Sequence, residues 1–159
     1  MQTIINILLV LSAFLFMEFM AWFTHKYIMH GFLWVLHKDH HIRDGRKLEW
    51  NDVFAIIFAV PSILLIYFGV TIPNTYMLSI GIGIFLYGFA YFMFHDVYVH
   101  QRVPVFKNFS NRYLRATVKA HLEHHNPHAH YNYGFLVAPL KYYIEEFSKK
   151  RQHNTQKGH

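Results

Sequence analysis

Residues 4–41 read IINILLVLSAFLFMEFMAWFTHKYIMHGFLWVLHKDHH, and the reading of this stretch decides the fold. From Ile4 to Phe23 it carries one charge, Glu18, and then passes into five histidines: His25, His30, His37, His40 and His41. A helix needs roughly 20 mostly apolar residues to cross a hydrocarbon core of about 30 Å, so the apolar part qualifies as a membrane span. No Lys or Arg precedes it, and it leads into bulky residues instead of a small-residue cleavage site. It is therefore expected to stay on the protein and not to act as a signal peptide.

Two further runs match it. Val53 to Val70 and Tyr76 to Phe94 contain no Asp, Glu, Lys, Arg or His. The expected fold is an all-α integral membrane protein with about three transmembrane helices, and a fourth membrane-embedded segment near residues 132–144 stays open. Of the fifteen Lys and Arg, five lie between Lys26 and Lys47 and ten between Arg102 and Lys157. None lies in the connector 71–75. Basic residues stay on the cytoplasmic side, so residues 25–52 and 95–159 are expected there, with the N-terminus and the connector outside. Every histidine then falls on the cytoplasmic side of a multi-pass protein, in a bacterial inner membrane on this reading.

Composition removes several function classes. The absence of cysteine excludes disulfides, thiolate-ligated haem and an iron–sulfur cluster of the chain's own. The net charge of +6 flanks apolar spans, which favours anionic lipid or an acidic protein partner over nucleic acid. Gly81-x-Gly83 lies inside an apolar run and follows no strand, so it is no nucleotide loop. With Ser79 and Gly88 it supplies small residues for close helix packing. Pro61 is expected to kink the second span, and Pro73-Asn74 marks a tight turn. Residues 111–125 read as a cytoplasmic helix, and 134–139 as a short apolar patch lying in the interface or against the bundle. Residues 1–147 form the membrane-embedded domain, with 148–159 a disordered tail that includes His153 and His159.

Ten of the fourteen histidines form two copies of one cassette. The first is His25-x4-His30 followed by His37-x2-His40-His41; the second is His95-x4-His100 followed by His121-x2-His124-His125. Imidazole is the commonest protein metal ligand, and one metal rarely needs more than four or five, so ten point to two ions. In each triplet the offsets i, i+3 and i+4 put the side chains on one helix face. The paired histidines differ by five, about 140° apart on an ideal α-helix, and share a metal only if the helix ends or distorts between them. Gly31 and Pro104 are consistent with such an ending. A lone histidine at a membrane boundary is usually interfacial, but packing alone would not repeat one spacing twice. His128 and His130 have no cassette partner and read as surface residues.

Imidazole-only sites suit zinc, copper, iron or nickel. Catalytic zinc needs three ligands and a water, which ten histidines oversupply. A pair of irons can split dioxygen, so iron is favoured. Near the ligands stand Asp96, Glu123 and Glu18. Metal-bound imidazoles usually donate their second N–H to a carboxylate or carbonyl. Adjacent residues on a helix turn apart, so Asp96 is expected to serve a histidine other than His95. Glu18 lies two turns before His25, and an ionisable residue within a span costs on the order of 3 kcal/mol and is usually functional. It is expected to support the metal site from behind the ligands, with an interhelical hydrogen bond the alternative.

These residues also resemble a family. Glu18 to His41, with His25-Lys-Tyr-Ile-Met-His30-Gly31, is similar to the first half of bacterial β-carotene hydroxylases. So are His95-Asp-Val-Tyr-Val-His100-Gln-Arg102, Ala120-His-Leu-Glu-His-His125 and Tyr133-Gly-Phe-Leu-Val-Ala-Pro139. The resemblance covers about residues 15–140, and four boxes in order make it specific. It implies a membrane di-iron enzyme of the fatty-acid hydroxylase and sterol desaturase superfamily, with all ten histidines as metal ligands. It further implies O2-dependent 3-hydroxylation of the β-ionone rings, taking β-carotene to β-cryptoxanthin and then zeaxanthin. Val97 stands where the family often has glycine, at a position that is not a ligand.

The chain has no flavin or nicotinamide motif, so electrons are expected from a ferredoxin-type donor and its reductase, docking on the basic face. Phe14, Phe16, Trp22, Phe89 and Phe92 are candidates to line the carotenoid's path. A zinc protease would need His-Glu-x-x-His, which is absent. A metal transporter would need polar groups along the spans, which the second and third lack. The remaining competitor is a sister hydroxylase or desaturase acting on a sterol, fatty acid or other carotenoid; ligand spacing cannot separate these substrates.

Overall fold

A computed structural model of the chain describes residues 1–42, 48–103, 111–126 and 131–155, without the side chains of 150–155. Among these residues all regular secondary structure is helical. Helix α1 (Gln2–Phe23) passes directly into a π-helical segment, Thr24–Phe32, and then into the short α2 (Trp34–His41). Helices α3 (Asp52–Thr71) and α4 (Thr75–Tyr91) form a hairpin, and α4 runs on into a second π-helical segment, Phe92–Val99. Helices α5 (Arg112–His124) and α6 (Leu140–Thr155) complete the chain. Three helices are long and apolar enough to cross a membrane: Gln2–Phe32, Asp52–Thr71 and Thr75–Val99. Residues 131–139 are irregular, so the open fourth segment is not a spanning helix.

The hairpin follows from its sequence. Asn74 caps α4 by accepting from the Tyr76 and Met77 amides, both at 3.1 Å. Next to this turn, α3 and α4 approach so closely that side chains would collide. A Cβ on Gly69 would stand 2.6 Å from the Leu78 nitrogen, and one on Gly81 2.9 Å from the Ile66 nitrogen. Gly83 plays the same part towards α1, where its Cβ would meet the Val10 carbonyl at 2.5 Å. Between α3 and α4, the buried Ser62 hydroxyl donates to the Gly81 carbonyl at 2.8 Å. Pro61 lies within α3, which stays helical through it.

Outside the spans, Asn111 caps α5 through the Leu114 amide. The small face of α5, Ala116 and Ala120, buries against Ala138 and Tyr142. Helix α6 runs to Thr155, so residues 148–155, expected from composition to be a disordered tail, continue the helix. Lys, Arg and Gln are good helix formers, and the helix propagates into them from its apolar first turns. His159 lies outside the described residues, and so do His128, His130 and Pro104.

Candidate metal centre

The offset of five inside each histidine pair is met by the two π-helical segments. A π-helix closes i→i+5 hydrogen bonds, and one such bond ends each segment: Leu33 N–H to the Ile28 carbonyl at 3.0 Å and His100 N–H to the His95 carbonyl at 2.9 Å. In such a turn, residues five apart return to one face. The rings of His25 and His30 lie 5.0 Å apart by centroid, and those of His95 and His100 lie 4.5 Å apart. Gly31, with φ −100° and ψ −124°, ends the first segment and turns the chain into α2.

The ten imidazoles gather into two adjoining groups, and neither group is one cassette. Ligand nitrogens of His25, His30, His37, His41 and His124 lie within 4.8 Å of one another; those of His40, His95, His100 and His121 do likewise. His125 joins the second group, its Nε2 at 2.9 Å from Nε2 of His121. Each triplet, sharing one helix face, offers two imidazoles to one group and the third to the other. The i and i+4 members, His37 with His41 and His121 with His125, stay together. His40 and His124, at i+3, cross into the group of the other cassette. On an α-helix i+3 lies about 60° to one side of i and i+4 about 40° to the other, so one helix inserted between two groups feeds both.

The outer nitrogens are held by acceptors. Nδ1 of His25 donates to the Tyr133 carbonyl at 2.9 Å and Nδ1 of His124 to the Tyr131 carbonyl at 3.0 Å. Nδ1 of His37 donates to Asn51 Oδ1 at 2.7 Å, and Nδ1 of His40 to Glu49 Oε2 at 2.9 Å. Nδ1 of His95 donates to Asp96 Oδ1 at 3.2 Å. The expectation that Asp96 avoids its neighbour is overturned. In a helix closed by i→i+5 bonds successive residues turn less than the about 100° of an α-helix, and Nδ1 is the ring nitrogen nearer its own backbone. Arg102 ties this outer layer together, reaching Glu49 at 2.6 Å, Asp52 at 2.7 Å and Asp96 at 3.7 Å. Burial raises the Glu49 carboxyl above its ordinary range, and Arg102 pulls it back down.

The Glu18 carboxylate is hydrogen-bonded elsewhere than to the described histidines. It accepts from the Tyr87 hydroxyl of α4 at 2.7 Å and from the amides of Phe135, Leu136 and Val137 at 3.1 Å each. It thus anchors the segment whose carbonyls at Tyr131 and Tyr133 orient His124 and His25. Gly134 is required in that anchor, because a Cβ there would stand 2.6 Å from the Val137 carbonyl. Glu123 faces away from the groups and accepts from Tyr142 at 2.5 Å.

These interactions fix the protonation pattern. Where Nδ1 donates outward, the neutral ring turns its Nε2 lone pair inward. Nε2 of His25 faces Nε2 of His37 at 3.1 Å, and Nε2 of His30 faces that of His124 at 2.9 Å. Nε2 of His100 faces that of His121 at 3.0 Å. Nε2 of His95 is buried without any hydrogen-bond partner. Burial holds His37 and His41 down to about 3, neighbouring histidines adding to it, and pushes His40, His121, His124 and His125 down as well. Converging neutral lone pairs repel one another unless a cation lies between them. With metal–imidazole bonds of about 2.0–2.1 Å, nitrogens 3 Å apart subtend about 90° at the ion, so the residues fit a metal pair.

An apolar cavity of about 400 Å³ borders the groups. Phe89 and Phe92 line it, whereas Phe14 and Trp22 line a groove against residues 132–139 and Phe16 is exposed. Sequence reasoning missed Glu49, Asn51 and Arg102. Their signal was local: two polar residues at the start of the second span and an arginine two positions after His100. The carbonyls of Tyr131 and Tyr133 carry no side-chain signal.

Residues 10–142 match the family model described as fatty acid hydroxylase. The chain is 42% identical over 138 residues to a Pantoea ananas protein named beta-carotene hydroxylase, covering 84% of this chain and 78% of that one. A protein of the same name from Paracoccus sp. (strain N81106 / MBIC 01143) is 36% identical, with 84% and 85% covered. Beta-carotene 3-hydroxylase 2, chloroplastic, of Arabidopsis thaliana is 37% identical, over 86% of this chain and 46% of that one. No solved structure matches the chain.

Proposed function

The chain belongs to the fatty acid hydroxylase family, and from that premise we propose that it hydroxylates carotenoids, adding OH at C3 of the β-ionone rings of β-carotene. β-Cryptoxanthin is the first product and zeaxanthin the second. Each step replaces a C–H bond by C–OH, consuming O2, two electrons and two protons and releasing one water. Residues 1–147 form the hydroxylase domain. The reading is carried by one observation: two interlaced imidazole groups lie against an apolar cavity, in a chain similar to proteins named beta-carotene hydroxylases.

His25, His30, His37, His41 and His124 would hold one iron; His40, His95, His100, His121 and His125 would hold the other. Once bound, the iron pair supplies activation of dioxygen. The chain's own groups prepare for it. Asn51, Glu49, Asp96 and the carbonyls of Tyr131 and Tyr133 keep each partner imidazole in its Nδ1–H tautomer, so Nε2 is free to ligate. Arg102 keeps Glu49 and Asp96 in place, while burial keeps the rings neutral and water out. The charge pattern supports a bacterial inner membrane with this site on the cytoplasmic side. There, a basic surface suits an acidic ferredoxin-type donor with its reductase.

The test is expression in a β-carotene-producing bacterium together with a ferredoxin and its reductase, with metal analysis of the purified protein. Zeaxanthin and about two irons per chain are expected. Unaltered β-carotene, with the protein in the membrane and electrons supplied, sinks the proposal, whereas zinc in an active enzyme sinks only the iron assignment.

A further inference from the structure

The glycines of α4 do not share one role. Gly81 and Gly83 are pressed against α3 and α1, where any side chain would strike backbone. Gly88 is different: a Cβ there would meet nothing within 4 Å. The helices that close around Gly81 and Gly83 have separated by the level of Gly88, and the space between them is the apolar cavity. Met17 and Ala21 of α1 and Phe54 and Phe58 of α3 form its walls.

Its inner end abuts the histidines. The Tyr91 ring lines the cavity and stacks on His95 with centroids 4.7 Å apart. Phe135 also lines it, stacks on His25 at 4.7 Å and stands 5.3 Å from His95. The two rings meet each other at 4.8 Å. One ring's thickness therefore separates the cavity from both imidazole groups.

We propose that this cavity holds the cyclic end of the carotenoid, and that the missing side chain of Gly88 provides the width a ring needs. The assignment rests on the hydroxylase reading above. The occupant follows from position and chemistry: an apolar space of this size suits a hydrocarbon ring, and it ends where oxygen would be inserted. Phe135 and Tyr91 then form the aromatic stop against which the ring rests.

Gly88→Phe adds a ring at a lining position whose Cβ meets nothing within 4 Å, and Ala59→Phe adds one from the lining of α3. The purified full-length proteins are incubated with β-carotene, and carotene retained per chain is read alongside melting temperature and bound iron. Gly88→Phe is expected to keep the melting temperature and iron content of the unaltered protein while binding over about tenfold less β-carotene. Gly83→Phe, by contrast, is expected to lose melting temperature. Should Gly88→Phe misfold, Ala59→Phe carries the same expectation. Undiminished β-carotene binding by a folded Gly88→Phe or Ala59→Phe overturns the assignment, as does a phospholipid chain that β-carotene does not displace. If the unaltered protein neither binds nor hydroxylates β-carotene, the functional reading itself has failed.

Discussion

Glu18 is the residue on which two distant parts of the site depend. Its carboxylate collects three consecutive amides, at Phe135, Leu136 and Val137, and the Tyr87 hydroxyl. Those amides belong to the segment that presents the Tyr131 and Tyr133 carbonyls to His124 and His25. Removing an acceptor leaves its donors unsatisfied at about 1–3 kcal/mol for each buried group. Glu18→Ala is therefore expected to lower both melting temperature and bound metal, and Glu18→Gln, which keeps one acceptor oxygen, to do so less. Metal per chain and thermal melting measure this. Full metal content and unchanged melting in Glu18→Ala would show that packing alone holds the segment.

At the scale of elements, the spacing of the histidines carries the most structure. An offset of five cannot be served by an α-helix, and the chain answers with a π-helical segment at each pair. That the helix must end or distort at each pair was legible in the sequence, because the mismatch between 3.6 and five residues follows from helix geometry alone, but which of the two occurs was not. The three spans were legible for an equally local reason, their uninterrupted apolar runs. The crossing of His40 and His124 was not: a shared face on one helix cannot say how many partners stand opposite it. Nor could sequence reveal the contact of Asp96 with His95, which depends on the helix type at that point. The glycines of α4 divide in the same manner. Their size suggested close packing for all, and only tertiary structure separates Gly88, which faces open space, from Gly81 and Gly83.

Across the whole molecule, burial of so many imidazoles links folding to pH. His37 and His41 are held down to about 3, burial being the main cause. An unfolded chain protonates them near 6.5, so between these values the unfolded state binds more protons than the folded one. Stability of the metal-free protein is expected to fall as pH drops from 6.5 towards 3, by up to about 1.4 kcal/mol per pH unit for His37 and by less for the more exposed His41. Melting temperatures of metal-free protein at pH 7, 6 and 5 should decline in order. A flat profile would show that the rings titrate as exposed histidines.

The exchange of His40 and His124 between groups has a consequence for how the ions leave. Each group of imidazoles draws on both halves of the chain, so an ion bound there would be a staple driven through them: one group takes residues 25–41 and His124, the other residues 95–125 and His40. Withdrawing either ion completely requires a ligand from the opposite half to let go. Pulling the halves apart frees both ions at once. Extraction by a chelator should therefore proceed in a single phase for the two ions, accelerating with denaturant as unfolding does. Two well-separated phases, insensitive to denaturant, would mean that each staple can be drawn alone.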